Sequence, residues 1–503
     1  MSQPVNDDLL AQRIFVRNHR PLAADRAYVL YWMTAARRPT HNFALQRAVW
    51  FARSLGKPLV VFEPLRIGYR WANARHHRFV LDGMHANRRL FAERPVTYLA
   101  YVEPTDGAGK GLLAALARHA AVVIGDESPM FFYPQMLAAA ARQIDTRFET
   151  VDGTGLLPLK AAPRAYPRAH SFRWAVHRHL PPHFEAWPAA DPFEGVELPR
   201  LDALPEDIVE RWPAAGDLSR AGALERSLPL DQSVPPVRTV GGPIAGAERL
   251  AYFVDHVLDG YGQNRNHPTR DGSSRLSPHL HYGHVGAHQV FDAVAAHEGW
   301  TPERLGPKPT GKREGWWGMR PGAESFLDEL VTWRELGHQY AYAADDYRSF
   351  ESLPPWARTT LAEHRSDPRP DRYTLQQFER AETHDALWNA AQNQLRREGI
   401  IHNYLRMLWG KKILHWSQTP EEALATMIEL NNRWAIDGRD PNSYSGIFWV
   451  LGRFDRAWGP ERPIFGKVRY MTSKSTRSKY KVDPYIAEYA AVEGGQLRLD
   501  DAS

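Results

Sequence analysis

The segment 400–416, IIHNYLRMLWGKKILHW, holds the densest combination of polar and aromatic residues in the chain. If it is helical, residues three, four and seven positions apart share one face. That face presents an amide, a permanent cation, a thioether and a gap that allows close backbone approach. The residues on it are Asn403, Arg406, Met407 and Gly410. We treat this face as a candidate binding surface.

Tryptophans in and near the same segment offer a route for electrons. Trp409 and Trp416 are two helical turns apart, or about 10 Å along a helix axis, and this spacing suits electron hopping between indoles. Trp388, upstream in HDALWNAAQ, is a candidate third member. The alternative is that these indoles only anchor helices in a core, which is the commoner use of buried tryptophan.

A second segment, 261–283, has the composition of an anion site. Ser273, Ser274 and Arg275 place two hydroxyls and a guanidinium just ahead of LSPHL, where a helix is predicted to begin. Hydroxyl donors beside a helix N-terminus suit a pyrophosphate. An ordinary loop with N-capping residues is the alternative.

The segment 431–449, NNRWAIDGRDPNSYSGIFW, is predicted to be a polar loop between helices. Its Asp437 is a candidate partner for Arg406, because a buried guanidinium needs a counter-charge. Spacing alone does not establish that pair.

Residues 462–481 are rich in Lys and Arg and contain no acidic residue. Aromatic residues are interleaved with the cations, a combination that fits binding to a phosphate backbone; a solvated basic face is the alternative. The four cations singled out for the backbone are Arg462, Lys467, Arg469 and Lys474. The histidine clusters at 177–183 and 279–284 lack carboxylates at helical ligand spacing, so no metal site is predicted.

Composition excludes several classes of protein. The chain has 503 residues and no Cys, which rules out disulfides, Cys-ligated zinc, iron–sulfur clusters and thiol nucleophiles. No apolar run is long enough to span a membrane, and the N-terminus lacks the apolar core of a secretory signal, so a cytoplasmic protein is expected. The net charge of +5 allows a polyanionic partner.

The pattern of elements predicts two domains. Short apolar runs such as YVLYW and AAVVIG alternate with helical stretches, which favours a parallel, doubly wound sheet of Rossmann type, although GxGxxG and P-loop motifs are missing. A Pro-rich connector and long amphipathic helices follow. The predicted parts are an N-terminal extension (1–25), an α/β domain (26–180), a linker (181–245), an all-α domain (246–490) and a short tail (491–503).

Taken together, these segments resemble the photolyase/cryptochrome family, and specifically its class II cyclobutane pyrimidine dimer photolyases. The resemblance is strongest in ESFLDELVTWREL, in the block from YTLQQFERAETHD to GKKILHW, in LNNRWAIDGRDPNSYSG and in ERPIFGKVRYM. It implies an α/β domain linked to an all-helical domain that holds FAD. The implied activity is a carbon–carbon lyase that uses blue light and reduced FAD to split pyrimidine dimers in UV-damaged DNA.

The resemblance also implies which residues contact FAD. The phosphate and ribityl segment falls on Tyr261, Ser273, Ser274, Arg275, Leu276 and Ser277, and Phe326 and Asn403 fall on other FAD-lining positions. Arg406 and Asp437 match an ion pair beside the isoalloxazine ring, and Asn431 matches the residue that faces flavin N5.

Further matches concern electron transfer and the lesion. Trp409, Trp388 and Trp416 match the class II electron-transfer chain, in that order from the flavin outward. The pocket that receives the dimer falls on Glu329, Trp333, Met407 and Trp449. Burial should raise the pKa of Glu329, so that a protonated carboxyl donates a hydrogen bond to the dimer.

Asn431 favours repair over signalling, because related plant cryptochromes carry Asp at this position and animal cryptochromes commonly carry Cys. A cryptochrome-like blue-light receptor and a DNA-binding flavoprotein without repair activity are the alternatives. Phe454 stands where the family usually has His, which puts lesion contacts there in question. The antenna is either an 8-hydroxy-5-deazaflavin or absent, and a monomer without membrane contact is expected.

Overall fold

The structure is a computed structural model that describes residues 7–490. Six strands in its first third form one sheet with the order β1-β6-β5-β2-β3-β4. The strands are β1 (Ile14–Val16), β2 (Tyr28–Trp32), β3 (Leu59–Leu65), β4 (Thr97–Val102), β5 (Ala120–Glu127) and β6 (Phe148–Asp152).

Neighbouring strands from β6 to β4 pair in parallel, and β1 pairs antiparallel with β6. Strands β2 and β5 are buried along their whole length, as expected for a sheet covered by helices on both faces. The chain runs from β2 toward β4 in one direction and from β5 toward β6 in the other. The carboxyl ends of β2 and β5 therefore flank a topological switch point, where such sheets bind ligands. The predicted α/β sheet followed by helices is confirmed.

Two strands, β1 and β6, were not predicted. The β6 sequence FETVD contains two acidic residues, yet Glu149 is fully buried because Arg47 and Arg147 pair with it. Strand β1 has three residues, too few for a periodic pattern, and it lies within residues 1–25, the predicted extension.

Five helices accompany the sheet: α1 (Asp7–Ala11), α2 (Phe43–Leu55), α3 (Ala74–Ala92), α4 (Leu112–Ala117) and α5 (Tyr133–Gln143). The next part of the chain contains α6 (Ala169–His179), α7 (Glu206–Arg211) and α8 (Ala221–Ser227), with short 3₁₀ turns. One short helix was predicted within 181–245, whereas α7 and α8 both form there.

The remaining described residues form helices and loops. The helices are α9 (Pro243–His256), α10 (Tyr261–Asn264), α11 (Ser277–His281), α12 (Ala287–His297), α13 (Pro321–Leu327), α14 (Arg334–Ala343), α15 (Pro355–Glu363), α16 (Leu375–Arg380), α17 (Ala386–Glu398), α18 (Asn403–Trp416), α19 (Pro420–Trp434), α20 (Pro441–Val450), α21 (Ser473–Lys479) and α22 (Asp483–Glu488). A π-helix, Asp328–Trp333, joins α13 to α14. The prediction of a polar loop over 431–449 is wrong, since α19 and α20 extend into it from both sides.

A buried polar contact joins the sheet to the helices. The Arg13 guanidinium, just before β1, donates to the carbonyl oxygens of Gly155 (3.1 Å) and Leu156 (2.6 Å). The backbone N–H groups of Leu156 and Leu157 donate in turn to Glu335 on α14, at 2.7 and 3.1 Å. Burial raises the pKa of Glu335 to about 7. This contact fixes the loop after β6 between β1 and α14.

Among the described residues, no helix is both long enough and apolar enough to cross a membrane.

Candidate active site

Three buried indoles lie side by side on α17 and α18. The rings of Trp388 and Trp409 are parallel within 3°, with centroids 6.5 Å apart. Trp416 meets Trp388 edge to face, with centroids 5.9 Å apart. The structure thus brings all three together, with Trp388 in the middle.

Hydrogen bonds hold this indole array in place. The Asp385 side chain caps the N-terminus of α17 by accepting from the N–H of Leu387 and Trp388. The Trp388 indole donates to the carbonyl oxygen of Trp409 (3.0 Å), and the Trp409 indole donates to Gln392 (2.9 Å). The rings are therefore oriented by polar contacts, and loose packing alone would not fix their angles.

The outer end of the array approaches the surface. Trp416 contacts Tyr373 and His384, with ring centroids 5.4 and 5.3 Å away. The Tyr373 hydroxyl and the His384 ring are hydrogen-bonded at 2.6 Å, and His384 is exposed. Sequence reasoning did not single out these two residues, which lie just before and just after α16, outside the helices.

Arg406 and Asp437 form a largely buried ion pair, with Nη2 3.2 Å from Oδ1. Helix α18 carries Arg406, and the loop between α19 and α20 carries Asp437. This loop turns tightly, because a Cβ at Gly438 would lie 2.8 Å from the Asn431 carbonyl oxygen. The pair that charge alone suggested is therefore present in the structure.

Asn431 lies near the end of α19 and is buried. Its amide nitrogen donates to Ser443 Oγ (2.7 Å) and Asn432 Oδ1 (3.1 Å). Both amide hydrogens are engaged by these two contacts, so the amide oxygen is the atom suited to accept a hydrogen bond from a ligand.

A second cluster forms around Glu329 on the π-helix. Arg265 pairs with its carboxylate and also lies over the ring of Tyr261, 5.6 Å from the centroid. Phe326 packs on Tyr261 with centroids 5.4 Å apart. Burial raises the pKa of Glu329, and Arg265 opposes that rise. A π-helix segment is frequent at functional sites because it displaces side chains from regular positions.

Arg265 was missed from the sequence. It stands in YGQNRNHP, a segment with no periodic pattern, and its partner is 64 residues away along the chain. Without the fold, nothing separates it from the many other arginines.

Residues 273–275 form a turn whose backbone is held by Arg249. Arg249 donates to the backbone oxygens of Ser273 (3.0 Å) and Ser274 (2.8 Å), and Arg275 adopts a left-handed φ of 54°. Leu276 is buried, and α11 begins at Ser277 as predicted. Because α11 has five residues, the hydroxyls and turn N–H groups are better suited than a helix dipole to donate to an anion here.

These residues fit FAD by their chemistry. Serine hydroxyls and Arg275 suit a pyrophosphate, and Arg406, Asp437 and Asn431 offer a cation, an acceptor and an amide to a polar ring edge. The buried Nδ1 of His402, beside Asn403 at the start of α18, has no hydrogen-bond partner among the described residues. An orphaned buried nitrogen at this point is the kind of group that a ligand satisfies.

A cavity of about 420 Å³ opens beside α18 and α20. Met407 and Trp449 line it, together with Tyr404, Trp458 and Arg469. Glu329 and Trp333 lie outside this lining, on the π-helix, although Trp333 and Trp449 pack against the same buried cluster. Of the four predicted pocket residues, two therefore line this cavity, and the other two lie on the π-helix.

The four predicted DNA-contacting cations differ in their surroundings. Lys467 pairs with Glu461 (3.0 Å), and Arg469 pairs with Asp455 (3.0 Å). Arg462 is exposed at the cavity of Met407 and Trp449, and Lys474 is exposed on α21.

Phe454 is buried, with a φ of 63°, and its ring meets Tyr340 edge to face. A hydrocarbon ring packs there as part of the core, where a histidine would bring a polar group.

Known proteins are similar in sequence to this chain over most of its length. Three curated relatives, each named deoxyribodipyrimidine photo-lyase, are 32% identical to this chain. The protein of Methanothermobacter thermautotrophicus covers 92% of this chain and 94% of its own length. The proteins of Oryza sativa subsp. japonica and Potorous tridactylus cover 94% and 90% of this chain, and 89% and 79% of their own lengths.

The solved structure of a bacterial class III photolyase from Agrobacterium tumefaciens matches with a TM-score of 0.66, over 92% of this chain and 86% of that one. At 16% identity it shows a shared fold. No protein-family model matches the chain. Because these three relatives match over most of both lengths, the chain belongs to the deoxyribodipyrimidine photo-lyase family.

Proposed function

We propose that this protein is a class II photolyase that uses blue light and reduced FAD to split cyclobutane pyrimidine dimers in UV-damaged DNA. The observation that carries the proposal is the match to three proteins named deoxyribodipyrimidine photo-lyase over nine tenths of the chain. FAD, when bound and reduced, supplies an electron to the dimer under light and receives it back after the ring bonds open.

The residues around the flavin have separate tasks in this proposal. The Arg406–Asp437 pair holds the ring edge, and Asn431 offers an amide oxygen that cannot act as an acid. The indole array leads electrons inward from Trp416 through Trp388 to Trp409, which restores the reduced state after accidental oxidation.

The dimer must leave the duplex to reach this site. Damage weakens stacking and pairing, which lowers the cost of flipping to a few kcal/mol. Met407 and Trp449 supply apolar cavity walls, and Trp333 supplies a further flat ring from the π-helix. Glu329 donates a hydrogen bond to the dimer when its carboxyl is protonated, which requires that substrate displaces Arg265 from it.

A blue-light receptor is the less favoured alternative. The relatives are named for lyase activity, and Asn431 replaces the acidic or thiol group that cryptochromes carry at this position. The cytoplasmic location and the monomeric state stay predictions, and the predicted short tail, 491–503, lies outside the described residues.

An antenna site is supported by a second cavity of about 770 Å³ at the carboxyl ends of β2, β3 and β4. Its lining includes the aromatic rings of Trp32, Phe62, Tyr101 and Phe132. Trp32 Nε1 and Thr34 Oγ1 are buried there and have no hydrogen-bond partner within residues 7–490, which the structure describes. We propose that a flat chromophore of the 8-hydroxy-5-deazaflavin type binds in this cavity and satisfies these atoms.

The proposed DNA surface consists of the exposed cations at the mouth of the smaller cavity and on α21. Arg462 and Lys474 are the members suited to phosphate contacts, because Lys467 and Arg469 already have acidic partners.

Illumination tests the function directly. Protein loaded with reduced FAD should restore thymine absorbance in an oligonucleotide that contains a cyclobutane dimer, under blue light and not in the dark. If the loaded protein binds the oligonucleotide and no absorbance returns under light, the proposed activity is wrong.

The same assay tests Glu329. Glu329→Ala should lower the repair yield about tenfold, because the dimer loses one charge-assisted hydrogen bond. The FAD content should stay unchanged. Glu314→Ala, at an exposed position, is the matched control.

The indole array is tested by photoreduction. Trp409→Phe should abolish light-driven reduction of oxidised FAD, because it removes the innermost indole, yet spare repair when FAD is reduced chemically. Trp300→Phe removes a buried indole outside the array and should leave photoreduction intact. Photoreduction that persists in the Trp409 variant would exclude this route.

Salt dependence tests the DNA surface. Arg462→Ala and Lys474→Ala should each reduce the slope of log K against log salt by about 1. Lys467→Ala should change it less, because Glu461 already neutralises Lys467. Equal slopes in all three variants and the unmodified protein would place the DNA elsewhere.

Reconstitution tests the antenna site. Added 8-hydroxy-5-deazaflavin should bind and contribute to the excitation spectrum for repair. Phe132→Ala should weaken its binding roughly tenfold through the loss of one stacking wall. Trp50→Ala, which removes a ring that is 53% exposed on α2, should have no effect; equal weakening by both variants would contradict the site.

A further inference from the structure

Lys411 is a fully buried lysine on α18, one helical turn after Met407. Its ammonium Nζ donates to the backbone oxygen of Val450 at 2.6 Å. The same atom lies 5.0 Å from the centroid of the Trp449 ring. Since Met407 and Trp449 both line the 420 Å³ cavity, Lys411 stands directly behind one of its walls.

The approach of two helices forces this position. A Cβ at Gly410 would lie 2.5 Å from Val450 Cγ2 and 3.1 Å from Met427 Sδ, so only glycine lets α18 come this close to α20. Val450 is the last residue of α20, where unpaired carbonyl groups attract a cation. The lysine stem is therefore held between the helices, with its charged end under the indole.

The charged groups that face Lys411 from the neighbouring segment are Asp455 and Arg469. Arg469 pairs with Asp455 at 3.0 Å and also lies 5.3 Å from the Trp449 ring. Two cations thus lie near one indole, and one of them is paired with a carboxylate. The net charge of this group is positive while Lys411 is protonated.

A cap for α20 is the simplest explanation of Lys411, but it accounts for the contact to Val450 alone. A neutral donor would serve that carbonyl without the cost of burying a charge. Burial lowers the pKa of Lys411 to about 7, so its charge changes within the physiological range. The free-energy cost of burying the Lys411 charge is explained if that charge acts on a molecule bound in the cavity.

We propose that Lys411 is a positioning residue that fixes Trp449 and places a positive charge behind it, which stabilises the negative charge that arrives on the dimer during repair. This inference rests on the proposed function. Because the charge acts on the reduced dimer and hardly on the neutral one, it favours the reaction more than it favours binding. Protonated Lys411 supports repair, so the yield should fall as pH rises through about 7.

The test compares unmodified protein with Lys411→Met and Lys411→Arg, each loaded with reduced FAD. Lys411→Met keeps the stem and removes the charge. Its repair yield at pH 6.5 should fall roughly threefold or more, with dark affinity for the dimer oligonucleotide within about twofold of normal. Lys411→Arg should restore the yield.

The pH profile from 6 to 8.5 separates charge from capping. The unmodified protein should lose yield across this range, whereas Lys411→Arg should retain it, because a guanidinium stays charged. Lys411→Arg also reports any pH effect of the flavin itself. Dark binding should show no matching change.

A Lys411→Met yield equal to that of the unmodified protein, or identical pH profiles for the unmodified protein and Lys411→Arg, would overturn the inference. If Lys411→Met does not fold, the pH profiles of the unmodified protein and of Lys411→Arg still test the inference. Repair that is absent in the unmodified protein at every pH would instead reject the proposed function, and the inference with it.

Discussion

The close packing of α18 against α20 at Gly410 is the constraint on which the candidate site depends. A side chain at this position would meet Val450 Cγ2 at 2.5 Å, so Val450 or the helix that carries it would have to shift. Helix α18 presents Arg406 to the loop after α19, Trp409 to α17 and Met407 to the cavity. A shift of this one helix would therefore disturb the ion pair, the indole array and the cavity wall together.

Much of this arrangement could be predicted from local patterns. Helical spacing in 400–416 places Asn403, Arg406 and Met407 on one face, and the need of a buried guanidinium for a counter-charge suggests Asp437. These arguments succeed because they depend on neighbours within one helix or on a strong charge requirement. The arrangement of Trp388 on Trp409 depends on the packing of two helices, which spacing does not give.

Long-range pairs account for the residues that sequence reasoning missed. Arg265 reaches Glu329 across many residues, and β6 buries Glu149 by pairing it with Arg47 of α2. The basic segment, residues 462–481, also has partners that its own sequence does not reveal. It contains no acidic residue of its own, yet Asp455 and Glu461, just outside it, neutralise Arg469 and Lys467. Composition identifies the cations, and the fold decides which of them remain available for phosphate.

The buried contact of Arg13 with the loop after β6, and of that loop with Glu335, restrains the sheet against the helical bundle. Resonance energy transfer between two chromophores falls with the sixth power of their separation. A hinge between the two halves of the molecule would therefore make light harvesting fluctuate from one moment to the next. With β1 and α14 fastened to the same loop, the proposed chromophore cavity and the flavin site are held at one separation, so a chromophore bound as proposed would pass its energy on with a steady efficiency.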